Sequence, residues 1–167
     1  GPADDYVSFT PRCSFWGYRY IAVITDGPVQ FKSIASIPVT SIAKDMEIGT
    51  IETGSEDINK LISNTRWGQM SNYLSVPTDC PQRNERLGWM ADTQVFTETR
   101  TFFANTDRFF HTWLQDVRDS QSPTGGYPGV SPDAQYGNEM MRLGWADAGI
   151  IVPWTVWKQF GDKEIEI

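Results

Sequence analysis

The apolar residues of this chain change their spacing at about residue 55, and that switch constrains the fold more than any other feature. Before it, Ser14–Ile24 is dense in aromatic and β-branched residues, and Asp26-Gly27-Pro28 supplies a turn. Such a run suits a half-buried pleated surface and reads as a strand. Val29–Thr40 alternates more weakly and reads as a second strand, which Ile37-Pro38 confines to a sheet edge. After the switch, Ile58, Leu61, Ile62, Met70, Tyr73 and Leu74 recur at helical intervals, with Ser55 placed to cap and Asp57 in the first turn. A second helix is expected over about Asp92–Ala104, with Val95, Phe96, Thr99, Phe102 and Phe103 on one face. A third follows Asn105-Thr106, either of which can cap it, and carries Phe109, Phe110, Trp113, Leu114 and Val117. A fourth covers about Ala148–Phe160 and stops at Gly161, with Pro153 either kinking it or marking its first turn. Strands first and helices after is not the alternation of a parallel α/β fold.

The 167 residues suit one ordinary domain or two small ones. With 14 basic against 21 acidic residues the net charge is −7, which argues against a nucleic-acid backbone or an anionic membrane as partner. The longest apolar run, Gly149–Trp154, is far too short to span a bilayer. No basic-plus-apolar leader opens the chain, and Gly1-Pro2 has the look of a scar left by tag cleavage. The compartment, cytoplasmic or exported, is therefore open. One His and two distant Cys make a zinc site an unpromising reading, and Cys13 and Cys80 can form one bridge or none. Seven Trp, six Tyr and nine Phe accompany the carboxylates, a combination that suits sugar faces and hydroxyls, although most aromatics fill cores.

Chemistry concentrates between the first two helices, in Pro77-Thr78-Asp79-Cys80-Pro81-Gln82-Arg83-Asn84-Glu85-Arg86-Leu87-Gly88-Trp89-Met90-Ala91-Asp92. Three carboxylates, Asp79, Glu85 and Asp92, surround two Arg and one Trp, on a backbone held off regular helix by Pro and Gly. Glycoside hydrolysis needs a carboxylic acid that protonates the leaving oxygen and a second carboxylate acting on the opposite ring face. Residues 119–142, rich in Pro and Gly, form a long loop of the kind that is more often functional than structural. Behind it, Trp145 and Asp147 are either a further sugar contact or a helix start, with Asp147 capping and Trp145 stapling.

The run Asp79-Cys80-Pro81-Gln82-Arg83-Asn84-Glu85-Arg86-Leu87-Gly88-Trp89 closely resembles the signature of bacterial α-L-rhamnosidases of glycoside hydrolase family 78. These are inverting hydrolases with an (α/α)6-barrel catalytic domain. Pro11–Tyr20 is similar to the strand that closes the β-sandwich before that barrel, and Leu143–Asp162 to the helix after its third helix. The resemblance implies a mainly α chain: residues 1–50 ending a β-sandwich, and 51–167 beginning the barrel. It implies Glu85 as general acid, Asp79 and Asp92 as ligands of rhamnose hydroxyls that help keep Glu85 protonated, and Trp89 and Trp145 as pocket walls. Arg83 and Arg86 would orient the carboxylates or touch sugar, and Asp147 would join the substrate contacts.

The implied partner is a rhamnose-containing glycoside, with no metal or organic cofactor, because inverting hydrolysis needs only water and two carboxyl groups. The family usually has Asp at Asn84, Thr-Gly at Met90-Ala91 and Gly at Ala146. Its general base is a Glu much later in the barrel; Glu139, Glu164 and Glu166 lie in no matching context, so the base is expected outside this chain. Such a piece is expected to be inactive alone and to self-associate or join the rest of its barrel. The alternative is a non-catalytic carbohydrate-binding relative that kept the acid loop.

Overall fold

The computed structural model describes residues 6–135 and 140–165, so Glu139 and Glu166 lie outside the described residues. Four helices dominate: α1 (Glu56–Asn72), α2 (Met90–Phe103), α3 (Asp107–Asp119) and α4 (Ala148–Phe160). A single 3-10 turn, Lys44–Met46, precedes them. Two strands of two residues, β1 (Tyr73–Leu74) and β2 (Val76–Pro77), pair antiparallel around Ser75, whose φ is 66°.

Helix boundaries follow local chemistry. Ser55 caps α1 by accepting from the Ile58 amide at 3.5 Å. Thr106 holds the capping position of α3 without a side-chain bond, while Asn105 Oδ1 accepts from the Asp107 amide at 3.3 Å. Gly161, at φ 70°, ends α4 in the left-handed conformation that glycine adopts without a steric penalty. Pro153 lies inside α4, beyond its first turn. Asp147 does not cap α4 with its side chain; its Oδ2 instead accepts from the Gly144 amide at 2.9 Å.

The core gathers where α4 packs on α2 and α3. Tyr73 stacks on Phe109 at 4.2 Å between ring centroids, and Phe110 meets both Tyr73 and Trp113 edge-on. Leu114, Val117, Val152, Val156, Met90 and Ile42 close around them. The apolar face expected for α3 is the buried one, with Trp113 and Phe110 at 0% exposure.

Three expectations fail. Tyr73 and Leu74, counted with the first helix, lie beyond its end in β1, and Ile58 and Leu61 of its apolar pattern are exposed. The face of α2 that is buried carries Thr93, Thr97, Arg100 and Thr101 as well as Met90 and Phe103, whereas Val95 and Phe102 point outward. The threonines can be buried because their hydroxyls bond back to their own helix: Thr93 to Trp89 O, Thr97 to Thr93 O, Thr101 to Glu98 O. The strands expected over Ser14–Ile24 and Val29–Thr40 do not form, and residues 6–41 run as irregular, mostly exposed chain. A strand needs a partner ladder, and none lies beside this segment among the described residues. No helix is long and apolar enough to cross a membrane among the described residues.

Candidate active site

The signature loop is clamped at both ends before any side chain enters the account. Asp79 N donates to Leu87 O at 3.0 Å, and Asp79 Oδ1 accepts from Leu87 N at 2.9 Å, so one residue closes the loop twice. Downstream, Ser131 N bonds Gly88 O and Met90 N bonds Gly129 O, both at 3.0 Å, bracketing a bridge between Trp89 and Val130. Trp113 Nε1 fixes the Ser131 carbonyl from the core at 2.9 Å. A Cβ at Gly88 would run into that same carbonyl oxygen, so only glycine lets the two backbones approach. The long turn-rich loop is thus a brace for the signature.

Within this frame Glu85 and Arg86 both take positive φ, 148° and 57°. Such conformations are costly for side-chain-bearing residues and collect at functional sites. Glu85 accepts from Trp89 Nε1 at 2.9 Å through Oε1 and pairs with Arg83 Nη1 at 2.7 Å through Oε2. Glu85 in turn holds the Arg83 guanidinium above its ordinary value, chiefly by that hydrogen bond.

The Cys80 thiol lies between two carboxylates, donating to Asp79 Oδ2 at 2.7 Å and facing Glu85 Oε2 at 3.7 Å. Burial, then the bond to Asp79, pushes this thiol up from its ordinary pKa. Cys13 and Cys80 are both free, one exposed and one buried. Arg86 turns away from the carboxylates, donating to Phe15 O at 3.2 Å with its guanidinium 4.2 Å from the Phe15 ring centre.

Asp79, Cys80, Arg83, Glu85 and Trp89 therefore form one connected group. Of this group only Asp79 lines the open cleft of about 320 Å3 that Asp92 also lines, together with Thr65, Gly68 and Asn72 of α1, Thr78, and Phe96 and Arg100 of α2. Trp145 and Asp147 stand apart from the cleft: Trp145 packs under Arg142 at 4.0 Å, and Asp147 holds the Gly144 amide. Sequence reasoning passed over Cys80 and Arg100. Cys80 stands inside the signature, but the direction of a thiol cannot be read from spacing. Arg100 is hidden in an apolar pattern that assigned the buried face of α2 to other residues.

The family model for the bacterial α-L-rhamnosidase six-hairpin glycosidase domain matches residues 46–166. The chain belongs to this family. An α-L-rhamnosidase of Streptomyces avermitilis is 38% identical over 161 residues, covering 95% of this chain and 15% of that protein. One from Formosa agariphila is 36% identical over 160 residues, covering 95% of this chain and 17% of its own length. The crystal structure of the Streptomyces avermitilis α-L-rhamnosidase complexed with L-rhamnose superposes with a TM-score of 0.65 at 44% identity, over 68% of this chain and 11% of that one. This chain thus spans about a sixth of the length of the relatives it matches. Its four helices are part of a rhamnosidase (α/α)6 barrel.

Proposed function

We propose that the chain is the opening part of the catalytic barrel of an inverting α-L-rhamnosidase, which releases terminal α-L-rhamnose from glycosides. The observation that carries this reading is Glu85, a carboxyl on strained backbone held by Trp89 Nε1 and Arg83 inside the rhamnosidase signature. Glu85 is the general acid and protonates the departing glycosidic oxygen. Asp79 and Asp92, which share the cleft, take rhamnose hydroxyls. Arg83 fixes the direction of the acid, and Trp89 walls the sugar while holding Oε1. Trp145 and Asp147, which stand apart from the cleft, are assigned to the substrate on the family resemblance alone. The base that activates water on the opposite ring face comes from outside residues 1–167. Residues 1–50 end a β-sandwich domain, and 51–167 begin the barrel.

The test is Glu85→Gln in a full-length enzyme carrying this sequence. Hydrolysis falls by about 10²–10⁴-fold while affinity for rhamnose changes little, because the amide keeps the shape and cannot donate the proton. Aryl rhamnosides with good leaving groups lose less than natural glycosides. Wild-type rates on both substrates would remove Glu85 from the mechanism.

A further inference from the structure

Asp107 and His111 stand one helical turn apart at the start of α3, so their side chains leave the same face. Asp162 follows Gly161, the residue that ends α4, and meets them there. One ligand-capable atom from each of the three lies within 4.8 Å of the other two. His111 Nε2 bonds Asp162 Oδ2, and Asp162 Oδ1 accepts from the Glu164 amide at 2.8 Å. Asp107 is left over. Its Oδ1 is buried and has no hydrogen-bond partner among the described residues. Burial and then the Asp162 charge push the Asp107 carboxyl up from its ordinary value, and the weaker pull of His111 and Arg108 does not offset them. One imidazole thus faces two carboxylates, and a buried carboxylate oxygen with no donor calls for a cation.

We propose that Asp107, His111 and Asp162 bind one zinc ion, which ties the start of α3 to the residue after the α4 cap. One imidazole nitrogen and two carboxylate oxygens are a donor set that zinc accepts, with water in the fourth position. Calcium and magnesium take oxygen ligands instead. Ligands about 2.0–2.2 Å from zinc stand about 3.3–3.5 Å apart in a tetrahedron. The ion therefore opens the His111–Asp162 contact and draws Asp107 in, small movements for side chains that are only partly buried. It takes the place of the proton between Nε2 and Oδ2. A neutral imidazole moves that proton to Nδ1 and a charged one releases it to solvent, so acid pH weakens binding. The Glu164 amide on Oδ1 keeps the Asp162 carboxylate turned toward the ion, the usual part of a group behind a metal ligand. Spacing along the chain hides this set, because Asp162 is 51 residues from His111. The site does not depend on the rhamnosidase reading.

The test is zinc chloride titrated into the chain at pH 7, followed by calorimetry and by NMR of the imidazole, whose signals belong to His111 because the chain has one His. The wild type takes up one zinc at this site, the His111 signals shift, and the thermal midpoint rises with zinc concentration. D107N leaves the His111–Asp162 bond in place and weakens binding at least tenfold. H111K keeps a cation beside Asp162 but no imidazole, loses the same binding event, and serves if D107N fails to fold. Asp79, Cys80 and Glu85 also bring ligand-capable atoms together. Zinc uptake that persists in D107N and H111K overturns the proposal, and its loss in C80A then places the ion on that second group. Magnesium bound as tightly as zinc overturns it too, since this marks general attraction to a chain of net charge −7. Absence of zinc uptake by the wild type, or uptake that leaves the His111 signals unmoved, does the same.

Discussion

Glu85 and Arg86 sit side by side on positive-φ backbone, a conformation that costs about 1–3 kcal/mol for each such residue. The double hydrogen bond between Asp79 and Leu87 and the close approach of Gly88 to Ser131 hold the turn in place. Gly88→Ala should therefore destabilise the chain by about 1–3 kcal/mol in urea unfolding, since neither backbone can retreat without breaking the bridge to Val130. Asp79→Asn should cost a comparable amount, about 1–3 kcal/mol, because both carboxylate oxygens accept hydrogen bonds and the amide nitrogen would face a donor. Asp92→Asn, on an exposed side chain, should leave the urea midpoint where it is while weakening rhamnose binding in the full-length enzyme. The residue types of this site were legible in the sequence, because the signature is a contiguous run. Its conformations were not. Positive φ at a glutamate and a thiol aimed between two carboxylates are set by the brace from residues 129–131, which sequence spacing does not connect to residue 85.

At the scale of elements, both α2 and α3 are legible as helices but only the buried face of α3 is, and the contrast lies in what each helix buries. Apolar periodicity finds a face packed with Phe, Trp and Leu. It misses one built from threonines that satisfy their own hydroxyls and an arginine stacked between rings. Arg100→Met should raise the urea midpoint of the ligand-free chain, by about 1–3 kcal/mol of stability, because an unpaired buried cation is replaced by a side chain that needs no partner. The sign with pH follows from its lowered pKa. From about 9 up to the ordinary arginine value the unfolded chain binds the extra proton, so the contribution of Arg100 to stability rises with pH above about 9 and this rise disappears in Arg100→Met.

A second link joins the start of α3 to the residue after the Gly161 cap, where His111 bonds Asp162 beside Asp107. His111 holds Asp162 below its ordinary value of 3.8, while burial and then Asp162 raise Asp107. The contribution of Asp162 is present above that ordinary value and is lost as pH falls through the lowered one. In NMR titration Asp162 should show a midpoint under 3.8 that moves upward in His111→Ala.

Across the whole molecule, the helices present a good deal of uncovered apolar surface. Trp154 and Trp157 lie against each other at 4.9 Å on the outer side of α4, Trp67 stands out from α1, and Val95 is 82% exposed on α2. Phe109 and Trp113, by contrast, are buried at 7% and 0%. Exposed apolar area on this scale drives association. Light scattering of the chain should show species larger than a monomer, and the double variant Trp154→Ser, Trp157→Ser should shift them toward one. The same preparation should hydrolyse no aryl rhamnoside; turnover by a monodisperse monomer would place the base within this sequence. Helices were legible at this scale and strands were not, because a helix closes its hydrogen bonds within its own segment and a strand borrows a neighbour.

Arg86, the residue after Glu85, is anchored on Phe15 by a hydrogen bond and by its ring. The segment that precedes the helices thus props the turn on which Glu85 stands. A cut at residue 50 that looks harmless in a drawing of modules would take away a strut of the signature loop. By the same token, recombination that exchanges what lies upstream of the barrel is not neutral toward that loop: each new upstream partner must bring its own support for Arg86, or the Glu85 turn loses a prop.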